Sequence, residues 1–147
     1  MTTGTAFPRF SLSDQDGNLV TNQDLMGQKA VIYFYPKDDT PGCTVEACEF
    51  QEHLPNIPGV KVLGVSPDSA KSHRKFADKF NLKFSLLADT EHELAEAVGV
   101  WVEKSMYGKT YMGVARTTIL LDENGIVTSV FEKVKPQGHA KEVIAAL

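Results

Sequence analysis

The chain's two cysteines stand five residues apart in Thr40-Pro41-Gly42-Cys43-Thr44-Val45-Glu46-Ala47-Cys48, behind the apolar run Ala30-Val31-Ile32-Tyr33-Phe34-Tyr35. That run reads as a buried strand, and a capping hydroxyl followed by proline at Thr40-Pro41 signals the start of a helix. Cysteine is a nucleophile only as thiolate, and an ordinary thiol, with a pKa near ~8.5, is mostly protonated at neutral pH. A place in the first helical turn favours the anion, because unpaired N–H groups and the helix dipole converge there. Asp38 and Asp39 oppose that effect if they point inward, so a cation is required. Lys37 is the local choice. A distant arginine suits better, since guanidinium stays charged when partly buried and presents a planar donor fork.

The spacing carries a second message. Residues i and i+5 of an ideal helix lie roughly 8–9 Å apart at Cα, whereas a disulfide spans at most about 7 Å. The two sulfurs cannot bond while the helix is intact. Either they never pair, or oxidation at Cys43 is coupled to unwinding of the first turns. The plainer reading, two small buried hydrophobes, has more force for Cys48 beside Ala47 and Phe50 than for Cys43 at the helix start. A zinc site is poorly supported, because His53, His73, His92 and His139 show no clustered ligand spacing. The chain lacks the Cys-x-x-Cys of thioredoxin-type disulfide reductases.

The elements that must position this pair alternate in period. Phe10-Ser11-Leu12 and Asn18-Leu19-Val20 flank Asp14-Gln15-Asp16-Gly17 as an N-terminal β-hairpin. The cysteine helix is expected to run from Thr40-Pro41 to about Asn56, with Pro55 and Pro58 marking its end. Val60 to Val65 reads as a second buried strand, and Ser69 to Phe80 as an amphipathic helix with Phe76, Ala77 and Phe80 on its apolar side. A short strand over 84–88 and a short helix over 92–98 follow. Strands over 117–121 and 126–131 bracket the turn Asp122-Glu123-Asn124-Gly125, and a last helix begins near Gly138-His139. This order predicts one α/β domain spanning residues 1–147, three layers deep around a central mixed sheet.

With 147 residues, 42% apolar and 23% charged, the chain is long enough to bury a sizeable core. A net charge of −4, with no basic stripe or Gly-rich phosphate loop, argues against nucleic acid or an anionic membrane as partner. The apolar runs are strand-sized, and Met1-Thr2-Thr3-Gly4-Thr5 lacks the features of a secretory signal. A cytoplasmic location is therefore expected, where a dithiol is more often catalytic than structural.

The segment Tyr35-Pro36-Lys37-Asp38-Asp39-Thr40-Pro41-Gly42-Cys43 resembles the active-site segment of peroxiredoxins, its Pro-x-x-x-Thr-x-x-Cys pattern met by Pro36, Thr40 and Cys43. The second cysteine, Cys48, narrows the resemblance to the PrxQ, or bacterioferritin comigratory protein, subfamily. The similarity continues through Phe84 to Asp89, Gly99-Val100-Trp101, Lys104 to Lys109, Ala115 to Thr118 and Lys133 to His139.

This resemblance implies a thioredoxin-like fold and a peroxidase that needs no metal, haem or flavin. It implies Cys43 as peroxidatic thiolate and Cys48 as resolving thiol. Arg116 becomes the distant cation, Thr40 the residue holding the peroxide, and Pro36 the thiolate's shield. A surface salt bridge is the bland alternative for Arg116, and Glu46 is equally readable as an Arg116-orienting or a solvated residue. The implied partners are a hydroperoxide and thioredoxin or a similar dithiol reductant, and the implied state is a monomer. Two rival readings are a thiol-based redox sensor or binding protein, and a non-catalytic scaffold of the same fold.

Overall fold

The computed structural model describes residues 1–53 and 58–147. The N-terminal hairpin, β1 (Ser11–Ser13) and β2 (Leu19–Thr21), forms a small antiparallel sheet of its own. A 3-10 turn at Asn22–Leu25, capped by Thr21, leads to β3 (Lys29–Phe34). Then come α1 (Pro41–His53), β4 (Val60–Ser66), α2 (Ala70–Phe80), β5 (Ser85–Ala88) and α3 (Glu93–Val98). The chain continues through β6 (Trp101–Met106), β7 (Lys109–Val114), β8 (Thr117–Leu121), β9 (Val127–Phe131) and α4 (His139–Ala146). The expected stop of the cysteine helix at Pro55 and Asn56 lies outside the described residues.

The central sheet is mixed, in the order β5-β4-β3-β8-β9. Strand β3 runs parallel to β4 and antiparallel to β8, so it is hydrogen-bonded on both edges. A strand buried on both faces reads as a continuous apolar run, which explains Ala30 to Tyr35. Its side chains alternate between two cores. Val31, Tyr33 and Tyr35 pack with Cys43, Ala47 and Phe50 of α1, Phe76 and Ala77 of α2, and Ala140 and Val143 of α4. Ala30, Ile32 and Phe34 pack with Leu94, Ala95 and Val98 of α3 on the opposite face. The result is the expected three-layer arrangement with an N-terminal hairpin.

Strands β6 and β7 form a separate two-stranded sheet that periodicity did not anticipate. The middle of both strands is largely exposed, so no apolar alternation marks them. The legible signal was the tip, where Tyr107 (φ 53°) and Gly108 (φ 78°) are both left-handed, as a two-residue hairpin turn requires.

Where the cysteine helix meets the sheet, an aromatic stack fills the space. Tyr33 lies over Phe50 with ring centroids 4.8 Å apart and beside Tyr35 at 5.4 Å. Gly64, the β4 partner of Tyr33, makes the room, since a Cβ there would stand 2.9 Å from both the Tyr33 ring and Leu86. Gly64→Ala should therefore destabilise the fold by about 1–3 kcal/mol through overpacking, read as a lowered midpoint in denaturant unfolding.

Candidate active site

Three segments build the site: the β3–α1 loop, the first turns of α1, and the residues leading into β8. Tyr35 N–H donates to Val65 O at 3.0 Å, which keeps the chain sheet-like to the end of the apolar run. Proline at position 36 cannot extend the ladder, and the chain leaves the sheet there. Asp39 takes a left-handed conformation (φ 55°) that turns the backbone into Thr40. Pro41 occupies the first helical position, where a missing N–H removes nothing, and Thr44 N–H closes the first bond to Thr40 O at 2.8 Å.

Cys43 thus lies in the first turn of α1, 1% exposed, with the helix start behind its sulfur. Arg116 reaches it from the segment between β7 and β8. That segment is tied down on both sides: Ala115 N–H donates to Val100 O at 2.8 Å, and Val134 N–H to Arg116 O at 3.2 Å. The guanidinium divides its donors. Nη2 donates to Cys43 Sγ at 3.2 Å, and Nη1 donates to Glu46 Oε1 at 2.7 Å. Gly42 permits this approach, because a Cβ there would meet Arg116 Nη2 at 3.2 Å and Pro136 Cγ at 3.4 Å.

The charges in this cluster are coupled. Burial disfavours the Arg116 charge, but Cys43 and Glu46 more than offset it and hold the guanidinium above its ordinary pKa. Burial likewise raises the Glu46 carboxyl, and Arg116 only partly restores it, leaving a value of about 7. The second oxygen, Oε2, is buried without a hydrogen-bond partner. Lys104 of β6 also feels the site: burial and repulsion by Arg116 lower its pKa, and Cys43 acts in the other direction.

The other expected site residues fall as follows. Thr40 Oγ1 donates to Lys37 O at 2.9 Å, so its hydroxyl proton is engaged and its lone pairs are left to accept. Pro36 is half-buried in the loop between β3 and α1. Cys48 is on the same helix as Cys43, half-buried, its thiol pushed up by burial; both cysteines are free. Glu46, left undecided on sequence, is 1% exposed and ion-paired. Its position one turn after Cys43 was the available signal.

Among the described residues, one grouping, Asp38, Asp68 and His73, places ligand-type atoms within 4.8 Å of one another. Nδ1 of His73 faces Asp38 Oδ2 at 2.7 Å and Nε2 faces Leu87 O at 2.9 Å. Both ring nitrogens are thus already engaged within the protein.

Residues 3–130 match the model of the AhpC/TSA family. A putative peroxiredoxin Bcp of Coxiella burnetii is 47% identical over 146 residues, covering 98% of this chain and 97% of its own length. The Xylella fastidiosa PrxQ structure superposes with a TM-score of 0.93 at 36% identity, over 99% of this chain and 94% of that one. The Xanthomonas campestris bacterioferritin comigratory protein, described for its alkyl peroxide reduction activity, gives a TM-score of 0.88 at 45% identity, covering 93% of this chain and 88% of that one.

Glu46 sets a pH signature. A carboxyl raised from 4.5 to about 7 on folding stabilises the fold while protonated, and that contribution is lost as pH rises between those values. Glu46→Gln, which cannot ionise, should therefore gain stability relative to the parent as pH is raised from about 5 to 8, measured by urea unfolding at each pH.

Proposed function

The chain belongs to the AhpC/TSA family of peroxiredoxins, in the Bcp or PrxQ branch, and on that premise we propose that Cys43 is its peroxidatic thiolate. It is a thiol peroxidase. The observation that carries the residue assignment is the Arg116 donor 3.2 Å from the buried Cys43 Sγ, in the first turn of a helix.

In the proposed cycle the thiolate attacks the terminal oxygen of a hydroperoxide in line with the O–O bond. The S–O bond forms as the O–O bond breaks. Hydroxide or alkoxide departs, takes up a proton and leaves as water or alcohol, and Cys43 becomes sulfenic acid. Arg116 and the α1 amides stabilise the charge that grows on the oxygens. Thr40, its own proton held by Lys37 O, accepts the hydrogen of the peroxide O–H and so orients the attacked oxygen. Pro36 limits water access to the sulfur.

Cys48 then condenses with the sulfenic acid, expelling water and forming an intramolecular disulfide. Five helical positions separate the two, so this step requires the first turns of α1 to unwind. A dithiol reductant such as thioredoxin resets the pair by thiol–disulfide exchange. We read residues 1–147 as one domain acting as a cytoplasmic monomer; among the described residues no helix is long and apolar enough to cross a membrane.

Cys43→Ser should abolish peroxide consumption in an assay coupled to thioredoxin and its reductase. Cys48→Ser should consume one equivalent and then stall until an external thiol is added. Normal cycling by Cys48→Ser would make this a one-cysteine enzyme, and failure of the parent to turn over repeatedly would favour a redox sensor. Arg116→Lys, which loses the donor fork, should slow the first turnover about 100-fold, followed by stopped-flow fluorescence.

A further inference from the structure

Asp38 and Asp39 bring two negative charges into the loop just before the thiol-bearing helix. Both carboxylates are turned onto α2. Asp38 accepts from the Tyr35 hydroxyl at 2.6 Å, the Ser72 hydroxyl at 2.8 Å and His73 Nδ1 at 2.7 Å. Its backbone N–H donates to Asp68 Oδ2 at 2.8 Å, and that oxygen also takes the Ser66 hydroxyl at 2.6 Å. His73 is fully buried, with Leu87 O 2.9 Å from Nε2. With Asp38 ionised, a ring carrying a hydrogen on each nitrogen makes both bonds together, and in that form it is a counter-charge to Asp38. Asp39 points elsewhere, onto Lys79 Nζ at 2.8 Å, in a pair too exposed to contribute much.

We propose that α2 is a counter-charge anchor, in which His73, with Ser72 and Tyr35, holds and neutralises the Asp38 carboxylate so that it does not oppose the Cys43 thiolate. The proposal rests on Cys43 being the reacting thiol, and it makes His73 and Asp38 positioning residues. Tyr35 links Asp38 and Cys43, since its hydroxyl donates to Asp38 at 2.6 Å and its ring lies in the same core cluster as Cys43 and Tyr33. The Tyr33 phenol is raised first by burial and then by Glu46, Cys43 and Asp38, so one ring feels all three charges. An uncompensated carboxylate disfavours a neighbouring anion by about one pKa unit, a tenfold loss of thiolate. Three donors, one of them cationic, remove most of that field.

The test is the single-turnover reaction of the reduced protein with hydrogen peroxide, followed by sulfenic acid trapping. His73→Leu should react about tenfold more slowly, and Asp38→Asn/His73→Leu should return to within about threefold of the parent, because no charge is left to oppose the thiolate. A merely structural role would leave the double variant as slow as the single one. That result, or parental speed in His73→Leu, would overturn the proposal. Should His73→Leu not fold, Ser72→Ala removes one donor from the edge of the network. It should slow the reaction about two- to threefold, and Asp38→Asn/Ser72→Ala should cancel the loss. An unchanged rate in Ser72→Ala would then overturn the proposal. Cys43→Ser in the same assay separates the two readings, since trapping that survives it means that Cys43 is not the reacting thiol.

Discussion

The guanidinium of Arg116 lies between two buried groups, the Cys43 sulfur and the Glu46 carboxyl, and divides its donors between them. Much of the surrounding structure follows from that sharing. Glu46 is held near half-ionisation at neutral pH, with Oε2 left unpaired. Gly42 leaves room for the guanidinium, and Arg116 and its neighbour Ala115 are pinned by backbone bonds with Val134, in the β9–α4 loop, and Val100, just before β6. A buried ion pair of this kind contributes little net stability, because desolvation offsets the attraction. What it supplies is a fixed donor 3.2 Å from the sulfur, which the proposed cycle uses for the charge that develops on a peroxide oxygen.

The same helix imposes the opposite constraint on resolution. In the proposed cycle its start activates Cys43, while its regularity holds Cys48 five positions away, on another side of the cylinder. An intact α1 cannot hold a Cys43–Cys48 disulfide. Cys48 is half-buried, and the raised pKa of its thiol keeps it protonated until the structure around it changes. Burial of Phe50 and Ala47 in the α1 core opposes unwinding, as does the bidentate hold of Glu49 on Gly138 N–H at the start of α4. The activated and the resolving conformations therefore compete for the same residues.

The fold was legible where period and punctuation agreed. Ala30 to Tyr35 reads as a doubly buried strand because β3 is paired on both edges, and Thr40-Pro41 marks the start of α1 to within a residue. The β6–β7 hairpin was not legible, because a ribbon exposed for most of its length has no reason to alternate apolar and polar residues. In the site, local chemistry called for a cation and the family resemblance named Arg116. No spacing rule links residues 43 and 116, which meet only because β8 pairs beside β3. Glu46 stayed undecided for the same reason, since its burial depends on that distant arginine. Asp38 and Asp39, expected to oppose the thiolate if they point inward, are instead held on α2, thirty and more residues onward.

The central claim is that α1 is intact while Cys43 is reactive and opens so that Cys48 can bond to it. Amide hydrogen exchange over residues 44–48, in the reduced protein and after one equivalent of hydrogen peroxide, tests it most directly. Slow exchange in the reduced state and fast exchange once mass spectrometry shows the Cys43–Cys48 bond is the predicted result. Unchanged protection with that bond formed would contradict the account.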